Sequence, residues 1–121
     1  MSQASIRASI VADLQGITGE VEGEPVTLSA YPVPPVVISA YDIWPVWQAT
    51  RQIAMCVNET DWLVLLALPG ADAQTWSLNG DALVATVEDA LAWTKVARVE
   101  PVQILVGEGA TMPGIQFTLE I

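Results

Sequence analysis

The chain of 121 residues has no histidine, one cysteine and only four basic residues, and each shortage removes a class of function. Without histidine it lacks the commonest metal ligand, the usual general base near neutrality and every His-dependent nucleophile arrangement. The lone Cys56 excludes an internal disulfide, a CxxC redox pair and a zinc ribbon. It reads as a small buried thiol in a strand-like run, and an intracellular origin is expected. No GxxxxGK[ST] or GxGxxG phosphate loop occurs. GEG at Gly107 to Gly109 reads only as a turn.

Four basic residues against fourteen acidic ones give a formal charge of −10, so affinity through neutralised phosphates or anionic lipid is not expected. Long apolar runs are also scarce. The longest uncharged stretch, Pro25 to Tyr41, is broken by prolines, and Trp62 to Ala71 is too short to span a bilayer. The opening MSQASIRASIVADLQG is helix-like and polar rather than an apolar secretory core, so neither a signal peptide nor a membrane anchor is expected.

What the chain does have is apolar surface. Its length suits one domain, 1–121, yet 52% of residues are hydrophobic and mean hydropathy is +0.44, more than so small a domain needs inside. Subunit interfaces are the expected use of the excess.

Ile6, Ile10, Val11, Leu14 and Ile17 recur at helical spacing behind a Ser2 or Ser5 cap, with Gly16 and Gly19 as stops. GEVEGEP, Gly19 to Pro25, reads as an acidic connection and PVTLSAY, Pro25 to Tyr31, as a half-buried strand. TRQIAMCV alternates as a strand, Asn58 to Asp61 reads as a turn, and WLVLLAL, closed by Pro69-Gly70, reads as a central strand buried on both faces. Asp72 is a candidate cap for a helix bearing Trp76, Leu83, Val84, Val87 and Leu91, with Asn79-Gly80 as an interruption and Asp81 to Trp93 as its firm half. KVARVEPVQILVG and GIQFTLEI read as closing strands joined by the loop EGATMP. The expected fold is α/β in the α+β sense: a mainly antiparallel or mixed sheet of about five strands packed by two helices, with an extended Pro/Trp-rich arm.

The arm, residues 31–50, reads YPVPPVVISAYDIWPVWQAT and carries one charge, Asp42. Pro32, Pro34, Pro35 and Pro45 argue against a long helix or a central strand, and the side chains are too apolar for a solvated loop. Tyr31, Pro34, Pro35, Tyr41, Ile43, Trp44 and Trp47 are the candidate interface residues. Trp44 and Trp47, straddling Pro45, read either as anchors for a neighbour or as a lid folded onto the chain's own core. Trp62, Trp76 and Trp93 read as core. The acidic groups Glu20, Glu22, Glu24 and the pair Glu88, Asp89 read as solvated surface rather than a cation site or an acid/base pair.

The helix SIRASIVADLQG, the strand DWLVLLAL followed by ALVATVEDAL, and the closing VQILVGEGATMPGIQFTLEI with PGI before an alternating strand resemble, in order and pattern, the tail terminator proteins of long-tailed bacteriophages. The resemblance covers nearly the whole chain. It implies a non-enzymatic virion protein at the tail–head junction, assembled in the host cytoplasm. It further implies a hexameric ring that caps the tail tube protein, ends tail growth and faces a head-side connector protein, without cofactor or metal. DNA would pass through such a ring without specific binding, and Glu20, Glu22, Glu24, Glu59, Asp61 and Glu108 are the candidate lumen acids. Alternatives are another head–tail connector or tail subunit, or a small-molecule-binding or carboxylate-using enzymatic domain.

Overall fold

The computed structural model describes residues 2–54, 57–69, 73–107 and 109–121, and their side chains outside 51–54, 57–59 and 73–79. Helix α1 spans Gln3–Leu14, with Ser2 as its N-cap: the Ser2 side chain accepts from Ser5 N. Ile6, Ile10 and Leu14 form its buried stripe. Gly16, at φ +73, turns the chain out of the helix.

The acidic connection is a hairpin. Strands β1 (Thr18–Val21) and β2 (Glu24–Thr27) pair antiparallel across Glu22 and Gly23, at φ 52 and 82. A two-residue turn with both central residues left-handed has the twist that a hairpin needs. The strand expected over Pro25 to Tyr31 is thereby divided: β2 belongs to the hairpin, Leu28 is buried in the core, and β3 (Ser29–Ala30) joins the main sheet.

The main sheet adds β4 (Asp42–Ala54), β5 (Val57–Ala67), β6 (Lys95–Gly107) and β7 (Ala110–Glu120) in the order β3-β4-β5-β7-β6, antiparallel except for the β3–β4 pair. The expected α+β architecture is what the chain adopts. The apolar run from Trp62 is central as expected, although full burial holds for one face, Trp62, Val64 and Leu66, while Leu63 and Leu65 on the other are half-buried. Asn58 to Asp61 are not a turn: they lie within β5, opposite Gln52 to Ala49. The closing loop is shorter than EGATMP, because β7 begins at Ala110, which pairs with Gly107.

Helix α2 (Ala73–Ala90) runs on through Asn79-Gly80. Gly80 is there for contact: a Cβ at this position would lie 2.8 Å from Ile115 Cδ1. Leu83, Val87 and, just past the helix, Leu91 pack with the α1 stripe against Ile43, Trp62, Val64, Leu66, Ile115, Phe117 and Leu119. Both helices therefore cover one face of the sheet. The other face carries a smaller cluster of Trp44, Ala67 and Ile104, flanked by Ile38, Val46, Leu65 and Met112. Trp93 is not core as expected: it is largely exposed, and its indole Nε1 donates to Asp13 Oδ2, which ties the end of α2 to α1.

Candidate assembly interface

The proline-rich stretch is two structures. Residues 31–41 form an irregular arm, whereas Asp42 to Thr50 are strand. Pro45, expected to argue against a central strand, lies inside β4 opposite Val64 for a local reason. Strand β3 pairs only with Asp42 and Ile43, so among the described residues β4 has no outer partner from Trp44 onward, the setting in which a strand tolerates a residue without N–H. The Pro45 carbonyl accepts from Arg7 Nη1 at 3.3 Å.

Backbone and side-chain bonds fix both ends of the arm. Tyr31 N donates to Ile43 O (2.9 Å) and Tyr41 N to Ala67 O (2.7 Å). Arg7 Nη1 also donates to Pro32 O. The single charge of the stretch closes the far end: buried Asp42 accepts from Ser39 N through Oδ2 at 2.8 Å, while Asp42 N donates to Ser39 O at 3.2 Å. Tyr41 is left-handed at φ 68, unusual for a bulky residue. Burial pushes its phenol above the usual value, and the Glu22 carboxylate adds to the shift.

The candidate interface residues divide accordingly. Tyr31 and Pro34 are exposed, Pro35 and Tyr41 partly so, and Trp47 retains 48% of its surface. Ile43 and Trp44 are buried in the chain's own core and are not available to a neighbour. For Trp44 the lid-or-anchor question resolves as core, on the face opposite the helices; its Nε1 has no hydrogen-bond partner among the described residues. Trp47 lies on the helix side and donates through Nε1 to Thr50 Oγ1 at 3.3 Å.

Three valines outside the candidate interface residues add to the exposed part of the arm. Val33, Val36 and Val37 are exposed to 55%, 102% and 76%, so the arm tip is an apolar protrusion. The available signal was a non-alternating Val-Val directly after Pro-Pro, where neither face of a strand can hide both.

The acids do not form one group. Glu20, Glu22 and Glu24 are exposed on the β1–β2 hairpin. Asp61 is half-buried within β5, in register with Glu120 of β7. The Glu59 side chain and Glu108 lie outside the described residues, as do Cys56, Asp72 and the Trp76 side chain. Glu88 and Asp89 are exposed. Among the described residues no group of three or more metal-ligating side chains stands close enough to hold an ion, and no helix is long and apolar enough to cross a membrane.

The three cations with described side chains are engaged locally. Arg7 serves the arm and α1, Lys95 pairs with Glu120 at 3.0 Å and Arg98 with Glu100 at 3.2 Å. At the opposite edge of the sheet, between α2 and β6, lies an open groove of about 200 Å³ lined by Gly80, Asp81, Val84, Val99, Glu100, Pro101 and Ile115. Comparisons with protein-family models, with curated proteins and with solved structures found no match for this chain.

Proposed function

We propose that the protein is a structural, non-enzymatic virion component that caps a phage tail tube as a ring, six subunits around, ending tube growth and presenting the surface that joins the head. The observation that carries this reading is the arm. Its tip is apolar and exposed, with Val36 and Val37 extending into solvent from a base tied at Tyr31, Tyr41 and Asp42. A protrusion of this kind costs solvation in a lone protomer and gains it back when a second surface covers it.

The charge distribution fits a passage for DNA. The exposed acids of the hairpin, Glu20, Glu22 and Glu24, repel phosphate if they face a ring axis, so the nucleic acid slides without the counterion-releasing contacts that would hold it. Partners are then the tail tube protein on one side and a head-side connector protein on the other.

Imaging the protein bound to purified tails tests the reading. A ring at the head-proximal end of the tube is the expected result. Binding to heads but not to tails would favour another connector, and a protein that decorates neither would end the proposal.

A further inference from the structure

We infer that the arm of one copy seats in the groove between α2 and β6 of the next, with Val36 and Val37 against Val84, Val99, Pro101 and Ile115. This rests on the reading of the arm as an assembly element and names where it lands.

The topology makes the contact intermolecular. The arm springs from the β3/β4 side of the sheet and the groove borders β6, at the other end of the order β3-β4-β5-β7-β6. The groove also lies on the helix-covered face, beside α2 and Ile115, whereas Ile38 of the arm packs with Trp44, Ala67 and Ile104 on the other face. The arm is held to β4 and β5 at both ends, through Tyr31 N to Ile43 O and Tyr41 N to Ala67 O. Its own groove is out of reach.

Shape and charge select the same partner. The groove holds about 200 Å³, with Val84, Val99, Pro101 and Ile115 as its apolar lining, room for a few branched side chains. Its lining carries two acids, Asp81, which is exposed, and Glu100, which is paired with Arg98, and each copy bears a charge of −10. Two copies must therefore meet through surface that brings no further acid. Tyr31 to Tyr41 contains no charged residue, so the arm is the apolar protrusion that approaches the rim without repulsion. Pro34 and Pro35 restrict the backbone before contact, which reduces the ordering cost of docking. Because arm and groove are different surfaces, the contact is head-to-tail, the kind that closes into a ring when its rotation divides the circle.

The test uses the full chain in sedimentation velocity and native mass spectrometry. Wild type should associate beyond a dimer. The arm variant Val36→Asp/Val37→Asp and the groove variant Val99→Glu should each associate at least tenfold more weakly, with Pro101→Glu as a second groove variant at an exposed edge position. An equal mixture of arm and groove variants should form heterodimers and nothing larger, since only one intact arm and one intact groove can meet. Variants that assemble as wild type, a mixture that stays monomeric although both variants melt cooperatively, or a wild type that is monomeric up to about 1 mM would each overturn the inference. Rings on tail ends would leave the assembly reading standing in all three cases; bare tails would remove that reading itself.

Discussion

The Arg7 guanidinium lies over the Trp62 indole, 5.1 Å from the ring centroid, while the same side chain donates to the carbonyls of Pro32 and Pro45. One cation therefore joins α1, the arm and the central strand. Its planar fork makes several contacts that a lysine ammonium would replace poorly.

Replacing Arg7 should loosen all three at once. Arg7→Ala is expected to cost about 1–3 kcal/mol, combining a lost cation–π contact with carbonyls left without their charged donor, and Arg7→Lys should recover only part of it. Urea denaturation with intrinsic tryptophan fluorescence reads both. Equal stability for all three proteins would contradict the role given to the stack.

The glycines differ in what an added methyl group meets. At Gly114 a Cβ would lie 2.3 Å from Ile104 Cδ1 and 2.7 Å from Leu66 O, a backbone atom that cannot swing aside. Gly114→Ala should destabilise by about 2–3 kcal/mol through overpacking. At Gly80 the obstacle is the tip of Ile115 alone, 2.8 Å away. There the helix gains about 1 kcal/mol from losing a glycine, so Gly80→Ala should come out near neutral. Thermal melts of the pair give the ranking, and the reverse order would be incompatible with the packing.

The two tryptophans beside Pro45 should separate folding from assembly. Trp44→Ala empties a fully enclosed site and is expected to cost about 3–5 kcal/mol. Trp47→Ala removes a half-exposed ring and one 3.3 Å hydrogen bond, so the protomer should lose less than about 1 kcal/mol. If Trp47 is an assembly anchor, its loss should weaken ring formation by about 2 kcal/mol. Chemical denaturation and sedimentation, run on the same samples, compare the two effects.

Tyr41 makes stability fall on the alkaline side. Its phenol is raised in the folded chain by burial and by Glu22, so the folded state holds the proton more tightly than the unfolded state. The contribution is complete below the ordinary phenol value of about 10 and is lost as pH climbs through the raised one. Tyr41→Phe should flatten this limb of a stability–pH curve without altering it near neutrality. An unchanged alkaline limb in the variant would assign the loss to other groups.

Duplex DNA should bind weakly at any salt concentration. Lys95 and Arg98 are paired with carboxylates and Arg7 is committed to the arm, so phosphates meet a surface of net charge −10. Electrophoretic mobility shift at low ionic strength is a stringent check. Tight, salt-sensitive binding would contradict both the charge reading and a freely sliding duplex.

Periodic features were legible in the sequence. The stripe of Ile6, Ile10 and Leu14, the central run from Trp62 and the alternation of Ile115, Phe117 and Leu119 all report a buried face directly. Features that depend on a neighbour were not. Asn79-Gly80 looks like a helix break because glycine has weak helix propensity, yet the helix runs on through it with Gly80 close over Ile115. Pro45 looks incompatible with a strand until β3 is seen to end at Ala30. Glu22-Gly23 looks like an acidic linker because a left-handed glutamate leaves no compositional mark. For the interface, the aromatic residues drew attention to Trp44, which the chain keeps for itself, and away from Val36 and Val37, whose exposure depends on how the arm is tied.

The β1–β2 hairpin has a consequence for how such a protein can change over time. It is a separate two-stranded ribbon that meets α2 through Gly19, packed against Leu83 and Thr86, and Val21, while Glu20, Glu22 and Glu24 stay outside. Charge and fold are thus carried by different atoms. Lineages can redraw the electrostatics of this ribbon, even reverse its sign, by single substitutions that leave the core layer as it was, and whatever passes or binds beside it can be retuned without rebuilding the protein.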